Sequence, residues 1–260
     1  MVEHPSRLEV RQVSKHFGGI VALRNVSLVA EAGRVTAIIG PNGAGKTTLF
    51  NVVAGVYPSS SGEVHLDGRS LAGVPPHVRV QMGIARTFQN VLLFGHMTAL
   101  ENVMVGRHSR SRAGFLASAL KLPKARREEE DIYLQAARCL NLVGLGTRAD
   151  VPAAALPFGQ QRLLAIARCL ATDPRVLLLD EPGAGLNAFE TAALGELIVR
   201  LAEAGIGVLL VEHDMNLVMR VAEKVIVLDY GEKIAEGPPQ TIQKDPRVIA
   251  AYLGEEEVPA

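Results

Sequence analysis

The sequence predicts an α/β fold, a mixed-sheet core carrying an N-terminal antiparallel β subdomain and a helical subdomain. Three observations carry that expectation. An apolar run, Val35 to Ile39, leads through Gly40-Pro41-Asn42-Gly43-Ala44-Gly45-Lys46-Thr47-Thr48 into the helical stretch Leu49 to Ala54. From Val176 onward, short apolar runs alternate with helical segments, the pattern of a parallel sheet with crossover helices. The first seventy residues look β-rich, whereas Gly95 to Leu170 reads as helical.

Taken in order, Leu8 to Val13 and Val26 to Ala30 have strand-like patterning, and Gly62 to Gly68 reads as a strand ending in a turn. Lys121 to Asp131 is a charged interruption of the helical region, expected as a surface insertion or a lobe boundary. The alternating part then runs Val176–Leu179, Thr191–Ala204, Val208–Val211, Met215–Ala222 and Val225–Leu228. Asp229-Tyr230-Gly231-Glu232 looks like a hairpin turn. This organisation corresponds to one domain over residues 1–260. Its core with the β subdomain takes up about 1–94 and 171–260, and a helical lobe about 95–170.

The loop after Ile39 is built for phosphate. Glycines at 40, 43 and 45 let the backbone curl so that successive N–H groups point at phosphate oxygens. The helix that follows adds the positive end of its dipole. Lys46 supplies a point charge for the β- and γ-phosphates, the Thr47 hydroxyl is placed to hold Mg²⁺, and Asn42 and Thr48 complete the nucleotide-binding stretch. The chain is expected to bind a nucleoside triphosphate.

A second signal is Val176-Leu177-Leu178-Leu179-Asp180-Glu181, an apolar run that ends in two acids. The interior of such a strand must be buried, so the acids lie at the carboxyl edge of the sheet, where open α/β sheets bind ligands. Asp180 is placed to hold Mg²⁺ opposite Thr47, and Glu181 to take a proton from the attacking water. His213 follows the run Val208 to Val211 and is expected at the end of the neighbouring strand, within reach of the γ-phosphate. Gln89, in Arg86-Thr87-Phe88-Gln89-Asn90, lies where a strand hands over to the helical lobe and is a candidate Mg²⁺ ligand.

Composition narrows the partners. Lys plus Arg and Asp plus Glu are 27 each, which gives no basic footprint for nucleic acid and no polybasic membrane anchor. Mean hydropathy is high at +0.19. Even so, no apolar run approaches the roughly 18 residues of a membrane span. The first residues lack the pattern of a secretory signal. The two cysteines, Cys139 and Cys169, are too few for a local metal site, and Cys169 reads as a buried structural thiol.

These pieces, in this order, resemble the P-loop nucleotide-binding domain of ABC ATPases from about Leu8 to Gly254. Leu156-Pro157-Phe158-Gly159-Gln160-Gln161-Arg162 stands where that family has its Leu-Ser-Gly-Gly-Gln signature. The resemblance implies a head-to-tail dimer with ATP sandwiched between subunits, Gly159 and Gln160 acting on the partner's nucleotide, and Phe17 stacking on adenine. Two departures stand out. Pro157 replaces the signature Ser, and Asn187 replaces the usual Asp of the segment that couples the two sites. Pro157 is expected to start a helix, and the dimer to be asymmetric, with a weaker site opposite Pro157.

Phe17-Gly18-Gly19-Ile20, Arg86 to Gln89, Glu212-His213-Asp214-Met215 and Ala251-Tyr252-Leu253-Gly254-Glu255 narrow the likeness to one ATPase subunit of bacterial branched-chain amino-acid importers. What this implies is a second ATPase subunit (a homodimer being the alternative), two membrane permeases and an extracytoplasmic solute-binding protein. It also implies a place at the cytoplasmic face of the inner membrane, held there by the permeases. Transporters of urea, amides or lipids and soluble ABC proteins of translation or DNA maintenance remain alternatives, the latter disfavoured by the neutral charge balance.

Overall fold

The computed structural model describes residues 6–87, 92–107 and 123–253, and they divide into two compact units. The first holds residues up to Arg79 and from Arg175 onward; the second is Val80–Pro174.

The first unit opens with the antiparallel pair β1 (Arg7–Phe17) and β2 (Ile20–Glu31), joined by a two-residue Gly18-Gly19 turn. β3 (Val35–Ile39) is followed by the helix α1 (Lys46–Ala54), which begins at Lys46, three residues earlier than the apolar pattern indicates. β4 (Ser61–Leu66), β5 (Arg69–Ser70) and α2 (Pro76–Met82) complete this half. β1, β2, β4 and β5 form one antiparallel sheet in the order β2-β1-β4-β5. β1 and β2 are longer than their apolar alternation suggests. Gln12 and Asn25, both at φ 48, shift the register and break the alternation while the pairing continues.

The second unit contains the short strand β6 (Ile84–Arg86) and the helices α3 (Ala99–Arg107), α4 (Pro123–Leu142) and α5 (Phe158–Leu170). Lys121 to Asp131 is therefore not simply an interruption: from Pro123 on, it is the first half of a 20-residue helix. Lys, Arg and Glu are good helix formers, so charge alone marks a solvated helix as readily as a loop. Cys169 donates to the Arg86 carbonyl at 3.2 Å, and burial pushes its thiol up to about 11, as suits a structural thiol.

The chain returns to the first unit with β7 (Val176–Asp180), α6 (Ala188–Glu203), β8 (Gly207–Val211), α7 (Met215–Val221), β9 (Lys224–Asp229), β10 (Glu232–Gly237), α8 (Pro239–Ile242) and α9 (Pro246–Leu253). Its strands lie in the order β10-β9-β3-β8-β7, parallel from β9 to β7 with β10 antiparallel at the edge. Every residue of β3, β7 and β8 is buried, as central parallel strands covered on both faces require. The β9–β10 hairpin turns at Tyr230 (φ 43) and Gly231 (φ 80), two positive φ angles in succession.

Candidate active site

Sheet register brings the candidate residues of the first unit to one edge. Ile38 and Asp180 both pair with Val211, so the three form a row across β3, β8 and β7. Adjacent strands are about 4.8 Å apart, so Asp180 is about 10 Å from the end of β3. Gly40 leaves that row after two residues, Glu181 after one, and His213 after two. Lys46, Asp180, Glu181 and His213 therefore come from neighbouring strand ends, although they are far apart in the chain.

The loop that leaves β3 depends on glycine. Gly40, Gly43 and Gly45 have φ of 149°, 78° and 99°. A Cβ on Gly40 would lie 2.0 Å from the Leu228 carbonyl oxygen, and one on Gly45 2.6 Å from that of Ala22. No such contact limits Gly43, whose side-chain direction is open. Lys46 is buried, and its ammonium donates to the Gly40 and Pro41 carbonyls at 2.5 and 2.8 Å. Asn42, Gly43 and Thr47 are exposed along the loop and the first turn of α1, with Thr48 half-buried behind them. The other end of α1 is clamped by Arg79, which donates to the Val52 and Val53 carbonyls at 2.8 Å each. From behind, the β9–β10 turn braces the loop: Gly231 N–H donates to the Ala44 carbonyl at 3.1 Å.

At the end of β7, the Asp180 side chain is buried. Glu181 takes a left-handed backbone (φ 46), unusual for a residue with a Cβ, and its N–H donates to the Val211 carbonyl at 2.9 Å. Its Oε1 lies 2.6 Å from His213 Nε2, with Glu181 largely covered and His213 about half exposed. A carboxylate and an imidazole at that distance are hydrogen-bonded, the arrangement of a general base with an orienting partner.

Phe17 ends β1 with 41% of its surface exposed, and its ring meets Tyr57 edge-on, 5.2 Å between centroids. Lys15 Nζ is 4.9 Å from the Phe17 centroid. In the second unit, Gly159 and Gln160 lie in the first turn of α5, Gly159 buried. Pro157 is the N-cap of that helix, one position before the first-turn site where proline is most favoured, and it makes no side-chain cap bond. Asn187 caps α6: its Oδ1 accepts from Glu190 N–H at 3.0 Å, while the Glu190 carboxylate accepts from Asn187 N–H at 3.0 Å. An amide thus does the capping that an Asp would also do, without its charge. Gln89 lies outside the described residues.

Comparison with known proteins decides the family. The model of the ABC transporter family matches residues 23–184. The chain belongs to the ABC transporter family, as an ATP-binding cassette. A second model, described as the branched-chain amino acid ATP-binding cassette transporter, matches residues 232–258. The cassette is 47% identical over 249 residues, 95% of this chain and 98% of the relative, to the high-affinity branched-chain amino acid transport ATP-binding protein BraF of Pseudomonas aeruginosa. It is 43% identical, over 95% of this chain and 98% of the relative, to LivG of Escherichia coli, which carries the same description. Among solved structures it resembles an ATP-binding cassette of an ABC transporter in its ADP conformation, with TM-score 0.84, 32% identity and coverage of 96% and 99% of the two chains. The chain is thus an ATPase with the cassette's mixed sheet, antiparallel N-terminal sheet and helices. Among the described residues, no helix is long and apolar enough to cross a membrane.

Two neighbours of the site had no role assigned from sequence. Tyr57 stands against Phe17 from 40 residues away, with no local signal to connect them. Glu212 is buried at the end of β8 and is an acid closing an apolar run, the same signal that marks Asp180.

Proposed function

We propose that this cassette is the ATP-hydrolysing subunit of a membrane importer for branched-chain amino acids. The observation that carries ATP hydrolysis is the 2.6 Å pair of Glu181 and His213 at the sheet edge that also bears the phosphate loop. The solute reading rests on identities of 43–47% along 95% of the chain to cassettes named for that transport. In this reading the loop from Gly40 to Thr48 holds the phosphates, Phe17 offers adenine a π-face, and Glu181 accepts the proton of the attacking water. His213 orients Glu181 and faces the γ-phosphate. Gly159 and Gln160 complete the partner's site.

Mg²⁺ suits the donors present: the exposed Thr47 hydroxyl and the Asp180 carboxylate are hard oxygen ligands, and Gln89 would add a third. When bound, the ion neutralises charge on the β- and γ-phosphates. ATP draws two cassettes together and hydrolysis releases them, with the helical unit passing closure to two permeases. A second ABC ATPase as partner, an extracytoplasmic binding protein and a place at the cytoplasmic face of the membrane belong to the same reading.

Gentle affinity purification from the source cell's membranes tests it. Recovery of a second ABC ATPase with two permeases, and leucine, isoleucine or valine bound by the associated binding protein, is the expected result. Recovery of the chain with ribosomes or DNA-processing proteins would overturn the transport reading. The weaker site has its own test in Pro157→Ser. Ser at that N-cap, three residues before Gln160, creates a capping box and returns a hydroxyl for the partner's phosphate. One added charge-assisted bond of about 1.5 kcal/mol raises the affinity of ATP-driven closure roughly tenfold. Unchanged turnover and closure would remove the asymmetry.

A further inference from the structure

We infer that Glu212 is the positioning residue that holds the Glu181–His213 pair in register by anchoring the backbone on both sides of it. The inference rests on the reading of Glu181 as general base. Glu212 is 3% exposed, yet its carboxylate is well supplied with donors. Oε1 accepts from Gly183 N–H at 2.6 Å, and Oε2 from His213 N–H at 3.1 Å. The Asp214 amide also donates to it. Burial pushes this carboxyl above the usual range, and the nearby Glu181 charge adds to the push against the three amides. Such a group is retained at a cost, which points to a task.

The need for an anchor follows from Glu181 itself. A left-handed backbone at a residue with a Cβ is strained and persists where neighbouring contacts over-determine it. On its N-terminal side the tie is Glu181 N–H to the Val211 carbonyl. On its C-terminal side Pro182 has no N–H to offer, so Gly183 supplies the first available amide, and Glu212 takes it. The other oxygen fixes the amide of His213, whose ring meets Glu181. One carboxylate thus holds the base loop and the histidine together. Gly183 is fitted to this contact, since a Cβ there would lie 2.8 Å from Glu212 Oε1.

Glu212→Gln keeps the shape but presents an NH₂ group to a site lined by N–H donors, so it can serve only one side of the clamp. Gly183→Ala attacks the same contact from the loop and leaves the carboxylate intact. Both variants, studied in the full chain with its co-purified subunits, are expected to lower kcat by roughly ten- to a hundredfold, the scale of a 1 Å misplacement. KM and the affinity for a non-hydrolysable ATP analogue stay within about twofold, because the phosphate loop is untouched. In single-turnover assays Glu212→Gln added to Glu181→Gln should cause no further loss, since the clamp acts only through the base. Normal kcat in both variants, or a loss that adds in full to that of Glu181→Gln, would overturn the inference. Normal turnover of Glu181→Gln alone would instead remove the base assignment, and the clamp with it.

Discussion

Glu181→Gln is expected to lower steady-state ATP turnover of the assembled ATPase by roughly 10²–10⁴-fold, the usual worth of a positioned general base. The amide has the volume of the carboxylate and can still accept a hydrogen bond from His213 Nε2, 2.6 Å away, but it cannot take up a proton from water. The bonds of Lys46 to the Gly40 and Pro41 carbonyls and of Gly231 to Ala44, which hold the phosphate loop, do not pass through Glu181. ATP affinity should therefore hold within about twofold while hydrolysis stalls, the signature of an interaction made only in the transition state. A cassette that binds but does not hydrolyse stays closed, so dimers should persist in ATP for longer than those of the unaltered chain. Phosphate release, equilibrium ATP titration and size-exclusion chromatography in ATP read these three effects. Turnover at the normal rate would assign the base elsewhere.

Which parts of this site are legible in sequence follows from where their determinants lie. The phosphate loop is one consecutive stretch, and its three glycines all take the positive φ that marks glycine, two of them also lying against the carbonyls of Leu228 and Ala22. Asp180 and Glu181 are legible because acids that close a run of four buried apolar residues mark the carboxyl end of the strand. Glu212 ends a run of the same kind, but its burial depends on Gly183 folding back to meet it, 29 residues away in the chain. No local pattern separates that from a solvated acid. The Phe17–Tyr57 contact fails to show for the same reason.

Secondary structure divides along similar lines. Central strands β3, β7 and β8 are uniformly buried and read directly as apolar runs, whereas β1 and β2 carry register shifts that blur their alternation. The helix from Pro123 to Leu142 begins in a charged segment that composition reads as a break. Its residues have good helix propensity, and only packing tells a solvated helix from a loop. Local chemistry is thus readable from the chain, while anything that depends on two distant segments meeting needs the fold.

Lys46→Met should reduce ATP affinity by roughly a hundredfold or more. The ammonium is the one side-chain cation that the loop itself provides, and two charge-assisted bonds to phosphate oxygens are worth about 1.5–3 kcal/mol each. Methionine keeps an unbranched stem of similar length, so the loss isolates the charge. Lys46→Arg should fail as well, though it keeps the charge. The ammonium sits in a buried position, donating to the carbonyls of Gly40 and Pro41, and a compact head with three donors can turn from those carbonyls toward a phosphate. A planar guanidinium has neither the room nor the freedom to make that exchange. Melting temperatures should show the difference between binding and bracing. Without nucleotide both variants lose the carbonyl contacts and melt lower; with saturating ATP the unaltered chain gains stability that they do not. If Lys46→Met bound ATP normally while melting lower, Lys46 would be a brace for the loop, and the phosphate charge would have to be met by another group.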